Sequence, residues 1–165
     1  TPEYPSNKLG TGSRLWMGPI DLANYTVQAD VMLVEKNGRL PDFGLINSRY
    51  TLTTRTSNRE GAASGERGGR ELRVDSWAAH DYRTSASEPF ESKPGVWYRL
   101  KLRVEPQQDR ALVQGKIWPR DQGEPEAWTV EMTDDRPNLE GSPGLYGNAQ
   151  EAPFYIDNIK VTPND

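Results

Sequence analysis

The stretch NYTVQADVMLVE (residues 24–35) decides the fold class. Every second position in it is apolar or aromatic: Tyr25, Val27, Ala29, Val31 and Leu33. Successive side chains of a β-strand point to opposite faces, whereas an α-helix would scatter these five around its surface. The stretch is therefore predicted to be a strand with one buried face.

Two later segments repeat this alternation and are close neighbours in the chain. WYRLKLRVE (97–105) places Tyr98, Leu100, Leu102 and Val104 on one face, and ALVQGKI (111–117) alternates in the same way. The residues between them, 106–109, read PQQD, which is typical of a turn. We therefore predict a hairpin that pairs these two strands.

Shorter segments complete the predicted sheets. Residues 43–54 are predicted to form one strand or a bent pair, and residues 80–85 are predicted to pair back on a strand at 72–76. Further short strands are predicted at 128–132 and 144–147. The last strand, 154–161, changes phase in its middle, which indicates a β-bulge near Asp157 and Asn158.

The composition agrees with a turn-rich, all-β protein. The 165 residues include Gly 15 and Pro 13, which favours many turns over long helices. About ten strands, short turns and one core predict a two-sheet antiparallel β-sandwich that occupies residues 1–165 as a single domain. The longest connection, 55–70, is rich in Gly and charge, and we expect a solvated loop there.

Composition also excludes several classes of function. The chain has no Cys, so thiol catalysis, disulfides and Cys-based metal sites are excluded, and its single histidine, His80, excludes sites that need two imidazoles. The formal net charge of −4 argues against a nucleic-acid-binding module. No apolar run is long enough for membrane insertion.

The order of the segments resembles a known superfamily. GLINSRY (44–50), WYRLKL (97–102), GSPGLY (141–146) and FYIDNIKV (154–161) follow the NYTVQADV strand. This order is similar to the concanavalin A-like lectin/glucanase superfamily, in its laminin-G-like or 3-keto-disaccharide hydrolase-like bacterial branch. It also resembles the module found C-terminal to pyrroloquinoline-quinone-type β-propeller repeats. The resemblance implies a jelly roll from an exported bacterial protein, periplasmic or extracellular, with a ligand on the concave sheet face.

One group of polar and aromatic residues is predicted to bind a ligand on this face. An aromatic ring stacks on the apolar side of a sugar, while amides, carboxylates and guanidinium groups bind its hydroxyls. The alternative is a solvated sheet face with cross-strand ion pairs. The residues of the group are Asn47, Arg49, Arg73, Asp75, Trp77, His80 and Tyr82.

The other four tryptophans are interpreted as structural. Trp97 begins a predicted strand and Trp118 ends one, and such positions favour covering the open end of a sandwich core. The same interpretation is given to Trp16 and Trp128.

Asp157 is the candidate metal ligand. The resemblance implies that a carboxylate on the terminal strand helps to hold a structural Ca²⁺, although Ca²⁺ needs six to eight oxygen ligands. The alternative is that Asp157 and Asn158 cap the bulge by bonding to nearby backbone groups. No other cofactor is expected.

Three functional hypotheses follow. The first is a non-catalytic carbohydrate-binding module. The second is a structural module that packs on other domains of a longer parent protein, such as a β-propeller. The third is a glycoside-processing enzyme of the 3-keto-disaccharide hydrolase-like type. Its motif is only partly matched by Asn47, Ser48 and Arg49, and no strand carries paired carboxylates at the spacing that glycoside hydrolysis requires.

Overall fold

The computed structural model describes residues 12–56, 70–149 and 152–165. Within them, eleven strands form two antiparallel sheets. The strands are β1 (Ser13–Trp16), β2 (Tyr25–Leu33), β3 (Asp42–Asn47), β4 (Tyr50–Arg55), β5 (Glu71–Ser76), β6 (Ser85–Pro89), β7 (Trp97–Gln107), β8 (Arg110–Pro119), β9 (Val130–Asp134), β10 (Gly144–Asn148) and β11 (Phe154–Pro163). Most of the loop predicted at 55–70 lies outside the described residues.

The strand order confirms the two-sheet sandwich. One sheet has the order β1-β10-β3-β4-β5-β6, and the other has the order β11-β2-β7-β8-β9. Strands from the C-terminal part of the chain, β10 and β11, lie beside strands from its N-terminal part in both sheets. In the described parts of the chain, no helix is long and apolar enough to cross a membrane.

The core lies between the sheets and follows the predicted alternation. Val27 and Ala29 of β2 and Leu100 and Leu102 of β7 are fully buried. The alternate residues of both strands, which point away from the core, are more exposed, apart from Asp30. Gly115 of β8 marks a close approach of the two sheets. A Cβ there would lie 2.5 Å from a methyl group of Leu52 in the opposite sheet.

The segment 43–54 is a hairpin, so the bent pair is the correct alternative. Asn47 and Tyr50 are cross-strand partners, and the turn between them holds Ser48 at φ 56. A positive φ at the start of a two-residue loop matches the twist of paired strands. The turn resets the alternation, so that Phe43, Leu45, Asn47, Tyr50, Leu52 and Thr54 are all buried.

One predicted strand boundary is wrong, and the predicted bulge is confirmed. Residues His80–Tyr82 form a turn of 3-10 helix, and β6 begins only at Ser85. The backbone N of Thr84 donates a hydrogen bond to Ser76 Oγ (2.8 Å), which joins the two ends of the connection between β5 and β6. In β11 the pairing with β2 shifts between Asp157 and Lys160, and Asn158 has φ 49 at that place.

Candidate functional site

The outward face of the six-stranded sheet carries aromatic and charged side chains that are open to solvent. Residues in register across the sheet share a face, and alternate rows point away from the core. One outward row contains Trp16, Gly144, Ile46, Thr51 and Asp75. The next outward row contains Arg14, Tyr146, Gly44, Thr53 and Arg73. We call this surface the outward face.

Two tryptophans meet over this face. Trp16 ends β1 and Trp77 follows β5, and three strands lie between β1 and β5. The centroids of the two indole rings are nevertheless 6.0 Å apart, with an interplanar angle of 10°. At about 4.8 Å per strand the two backbones are about 19 Å apart along a flat sheet. The two side chains therefore lean towards each other across the sheet.

Gly144 provides the space for this arrangement. A Cβ at Gly144 would lie 3.2 Å from the Trp16 ring and 3.5 Å from Cβ of Ile46. Ile46 is 1% exposed, although it points away from the inter-sheet core. Trp16 itself is 42% exposed and Trp77 is 54% exposed. The pair is thus seated on the sheet and still open to solvent.

Arg14 lies near the rings of both Trp77 and Tyr146. Its guanidinium carbon lies 5.1 Å from the centroid of Trp77 and 5.5 Å from that of Tyr146. Both distances are within the range of cation–π attraction. Arg14 and Trp16 are two residues apart on β1, so they point to the same side of the sheet.

An ion-pair network lies on the neighbouring strands β4 and β5. Arg73 Nε donates to Asp75 Oδ1 at 2.8 Å, and Arg73 Nη2 donates to Ser85 Oγ at 2.8 Å. Arg55 Nη2 donates to Asp75 Oδ2 at 3.2 Å, and both arginines lie within 4 Å of Glu71. These mutual bonds fix the planar forked groups in place.

The structure brings together only part of the predicted group. Arg73, Asp75 and Trp77 lie on the outward face or at its end. Arg49 is exposed in the β3–β4 turn, where its carbonyl oxygen accepts a bond from the backbone N of Trp77 (2.6 Å). Asn47 requires a correction: it is fully buried and does not face outward.

The reason is the hairpin turn, which changes the phase of the alternation between β3 and β4. Asn47 therefore lies on the inward side with Leu45, although Tyr50 and Leu52 are inward too. Its side-chain amide donates to the carbonyl oxygens of Tyr25 (2.6 Å) and Leu102 (3.3 Å). Both acceptors belong to the opposite sheet, so Asn47 ties the two sheets together as a satisfied buried polar group.

His80 and Tyr82 lie in the 3-10 turn beyond β5. The His80 side chain is 96% exposed, with Asp81 Oδ1 3.4 Å from its Nδ1. The ring of Tyr82 is covered by the guanidinium of Arg136 at 4.5 Å. Within the described parts of the chain, neither side chain makes a ring contact or a hydrogen bond with Trp16 or Trp77.

Three residues of the outward face escaped the sequence prediction. Arg14 and Tyr146 were not singled out, and Trp16 was interpreted as structural. Their strands β1 and β10 are next to each other, although more than 120 residues separate them in the chain. The detectable signal was local: Arg14 and Trp16 are two apart in a short segment, the spacing that returns to one face of a strand.

The contacts of Asp157 favour the capping alternative over a metal site. Its Oδ1 accepts a bond from the backbone N of Asn158 (2.8 Å), and its Oδ2 lies 3.5 Å from Nη1 of Arg120. Asn158 and Arg120 also contact the buried carboxylate of Asp30. In the described parts of the chain, no three His, Cys, Asp or Glu side chains form a group that could hold a metal ion. The Ca²⁺ site at Asp157 stays a prediction.

The outward side of the five-stranded sheet holds the remaining tryptophans. Lys116 is buried between the rings of Trp118 and Trp128, at 5.7 and 4.5 Å from their centroids. Its Nζ also lies 2.8 Å from Glu124 Oε1 and donates to the carbonyl oxygen of Pro125 at 2.8 Å. Arg120 covers the ring of Trp97 at 4.3 Å. These rings are contacted by cations of the chain itself.

Burial and charge act against each other at Asp30, and charge prevails. Burial raises the pKa of Asp30. Hydrogen bonds from Arg99 and Asn158 and the charges of Arg99 and Arg120 together lower the pKa by more than burial raises it, so the pKa lies below its ordinary value. The two Arg99 bonds measure 2.6 and 2.9 Å and form a bidentate pair. Asp30 is thus an ionised, fully engaged carboxylate.

A cleft of about 270 Å³ lies where β4 ends and β5 begins. Its charged lining includes Glu35, Arg39, Arg70, Glu91 and Lys93. Arg70 and Glu91 form an ion pair. The described lining residues include no aromatic ring, so this cleft lacks the stacking surface that the outward face has.

Comparison with known proteins supports the fold. No family model matches the chain, and no curated protein matches it. Among solved structures, it is similar to the carbohydrate-binding module CBM66 from Bacillus subtilis, with a TM-score of 0.59, 13% identity, and coverage of 91% of this chain and 81% of that one. The chain is an antiparallel β-sandwich of the jelly-roll type.

Two weaker matches were also found. A heptameric SAP-like pentraxin from Limulus polyphemus aligns with a TM-score of 0.48 and 12% identity, over 94% of this chain and 71% of that one. Sheep galectin-11, in complex with glycerol, aligns with a TM-score of 0.45 and 9% identity, over 94% of this chain and all of that one.

Proposed function

We propose that this chain binds carbohydrate, without catalysis, on the outward face of its six-stranded sheet. The observation that carries the proposal is the exposed Trp16–Trp77 pair, which is seated over Gly144 and Ile46 beside a fixed Arg–Asp network. Large exposed apolar surfaces on folded proteins are typical of interaction sites. The jelly-roll neighbour named as a carbohydrate-binding module has the same fold and supports the proposal.

The chemistry of the face suits a sugar. Indole rings offer apolar surface to the C–H side of a pyranose, and Trp16 and Trp77 are 42% and 54% exposed here. Arg73 and Asp75 hold each other in fixed orientations, and the oxygens of Asp75 have lone pairs that can also accept bonds from sugar hydroxyl groups. Ordering these groups before the ligand arrives lowers the entropy cost of binding.

The test is a glycan array, followed by calorimetry on each ligand found. We expect the Trp16→Ala/Trp77→Ala double variant to lose at least tenfold in affinity. The matched control is Tyr155→Ala, because Tyr155 is an equally exposed aromatic residue (53%) on the other sheet. The absence of any glycan ligand, or equal binding by the double variant and the control, would overturn the proposal.

A further inference from the structure

Resting on the proposed carbohydrate-binding function, we infer that the ligand is an acidic glycan whose uronic acid carboxylate is bound by Arg14. The inference concerns the class of sugar and the residue that selects it. It is carried by the way in which Arg14 is held and by the groups that surround it.

Arg14 is held by cation–π contacts, and the described residues give it no ion-pair partner. Its guanidinium lies over the rings of Trp77 and Tyr146, and its side chain is exposed. A cation–π contact attracts the guanidinium by its charge and needs no hydrogen-bond acceptor, so the N–H donors can still bond to a carboxylate. A bound carboxylate would therefore find a guanidinium that is already held beside the aromatic rings.

The donors of Arg14 have no acidic partner among the described residues, and this distinguishes it from the other arginines of the face. Arg55 and Arg73 are neutralised by Asp75 and Glu71. The remaining carboxylate of the face, Asp42, accepts bonds from the backbone N and the hydroxyl of Thr56. The carboxylates of this surface are thus engaged, and the charge of Arg14 remains uncompensated within the described parts.

A second cation belongs to the turn beside the backbone of Trp77. Arg49 is exposed in the β3–β4 turn, its carbonyl oxygen accepts a bond from the backbone N of Trp77, and the described residues provide it with no ion-pair partner. Arg14 over the Trp77 ring and Arg49 in this turn add positive charge to this end of the sheet, whereas the whole chain carries −4. Opposite charge steers an anionic ligand to such a site. A sugar ring on the indoles would bring a carboxylate on its rim within reach of Arg14.

The experiment compares two uronate polymers with neutral forms of the same backbones: polygalacturonate and alginate are titrated beside their fully methyl-esterified forms. Chondroitin sulfate is titrated beside its desulfated form, which keeps the uronate carboxylate and so separates sulfate binding from uronate binding. We expect a uronate polymer to bind at least tenfold more tightly than its ester, and added salt to reduce this difference.

Substitutions then test Arg14 itself. Arg14→Met should weaken binding of the acid roughly ten- to hundredfold, the range for a hydrogen bond to a charged group, and leave binding of the ester unchanged. Arg14→Lys should recover part of the loss, because it restores charge without the fork. Arg110→Met, an exposed arginine of the other sheet paired with Asp135, is the matched control and should bind like the wild type.

The outcomes separate this inference from the proposed function. Binding to neutral glycans alone, or equal binding of acid and ester, would overturn the acidic-ligand inference and leave carbohydrate binding in place. Preference for sulfate without uronate binding would overturn the uronate assignment. Binding to no glycan at all would overturn both.

Discussion

The two outward sheet surfaces of this sandwich both place cationic side chains on aromatic rings, but they differ in whether those cations also have carboxylate partners. On the five-stranded sheet, Lys116 and Arg120 lie on tryptophan rings and each also reaches a carboxylate, Glu124 or Asp30. On the six-stranded sheet, Arg14 lies on two rings, and the described residues give it no carboxylate. The cations of the first surface are paired within the protein, whereas the second surface leaves two tryptophan rings and Arg14 exposed.

The largest expected effect on stability comes from a substitution on the five-stranded sheet. Asp30→Ala removes the acceptor of Arg99 and Asn158 from a fully buried position. We expect a loss of about 3 kcal/mol in the free energy of unfolding, because partners of a buried ion pair are left uncompensated. Urea denaturation at neutral pH measures this loss.

The matched change on the other surface is Asp75→Ala. The side chain of Asp75 is itself 21% exposed, whereas that of Asp30 is fully buried, so water already screens the ion pairs of Asp75 and we expect about 1 kcal/mol or less. Equal losses for the two variants would contradict the contrast between a structural and a ligand-binding surface.

Acid should weaken the five-stranded surface selectively. The pKa of Asp30 is lowered on folding from its ordinary 3.8, so its contribution to stability is present above that value and is lost as the pH falls through the lower, folded-state pKa. Glu124, whose pKa is also lowered, loses its contribution with the same sign.

The measurement is the unfolding free energy of wild type and Asp30→Ala from neutral pH to about pH 2.5. We expect the difference between the two proteins to be constant down to about pH 4 and to shrink below it. A difference that grows in acid would show that the charge of Asp30 is not what stabilises the fold.

The smallest expected effect concerns calcium. Because Asp157 is bonded to Arg120 and to the backbone of Asn158, we expect EDTA to leave the melting temperature unchanged. Added Ca²⁺ should have no effect either. A rise of several degrees with Ca²⁺, reversed by EDTA, would restore the metal-site prediction.

The sequence predicted the fold well because strand alternation is a local signal. The faces of β2, β7 and β8, the hairpin between β7 and β8 and the bulge in β11 all follow from residues near each other in the chain. Asn47 was misplaced because a two-residue turn resets the alternation, and a turn without Gly is a weak signal.

The candidate site was harder to predict because it depends on strand order. Trp77 could be recognised next to Arg73 and Asp75, which precede it in the same strand region. Trp16 meets Trp77 only because β1 lies in the same sheet as β5, with three strands between them. Such pairing is not encoded in the spacing of residues, and neither is the position of Tyr146 beside Arg14.

The most direct test observes the five tryptophan side chains at once. In a ¹H–¹⁵N spectrum with assigned indole N–H signals, titration with a glycan ligand should shift the signals of Trp16 and Trp77. Those of Trp97, Trp118 and Trp128 should stay in place. Shifts confined to those three, or saturated binding that moves neither Trp16 nor Trp77, would contradict the placement of the carbohydrate site on the outward face.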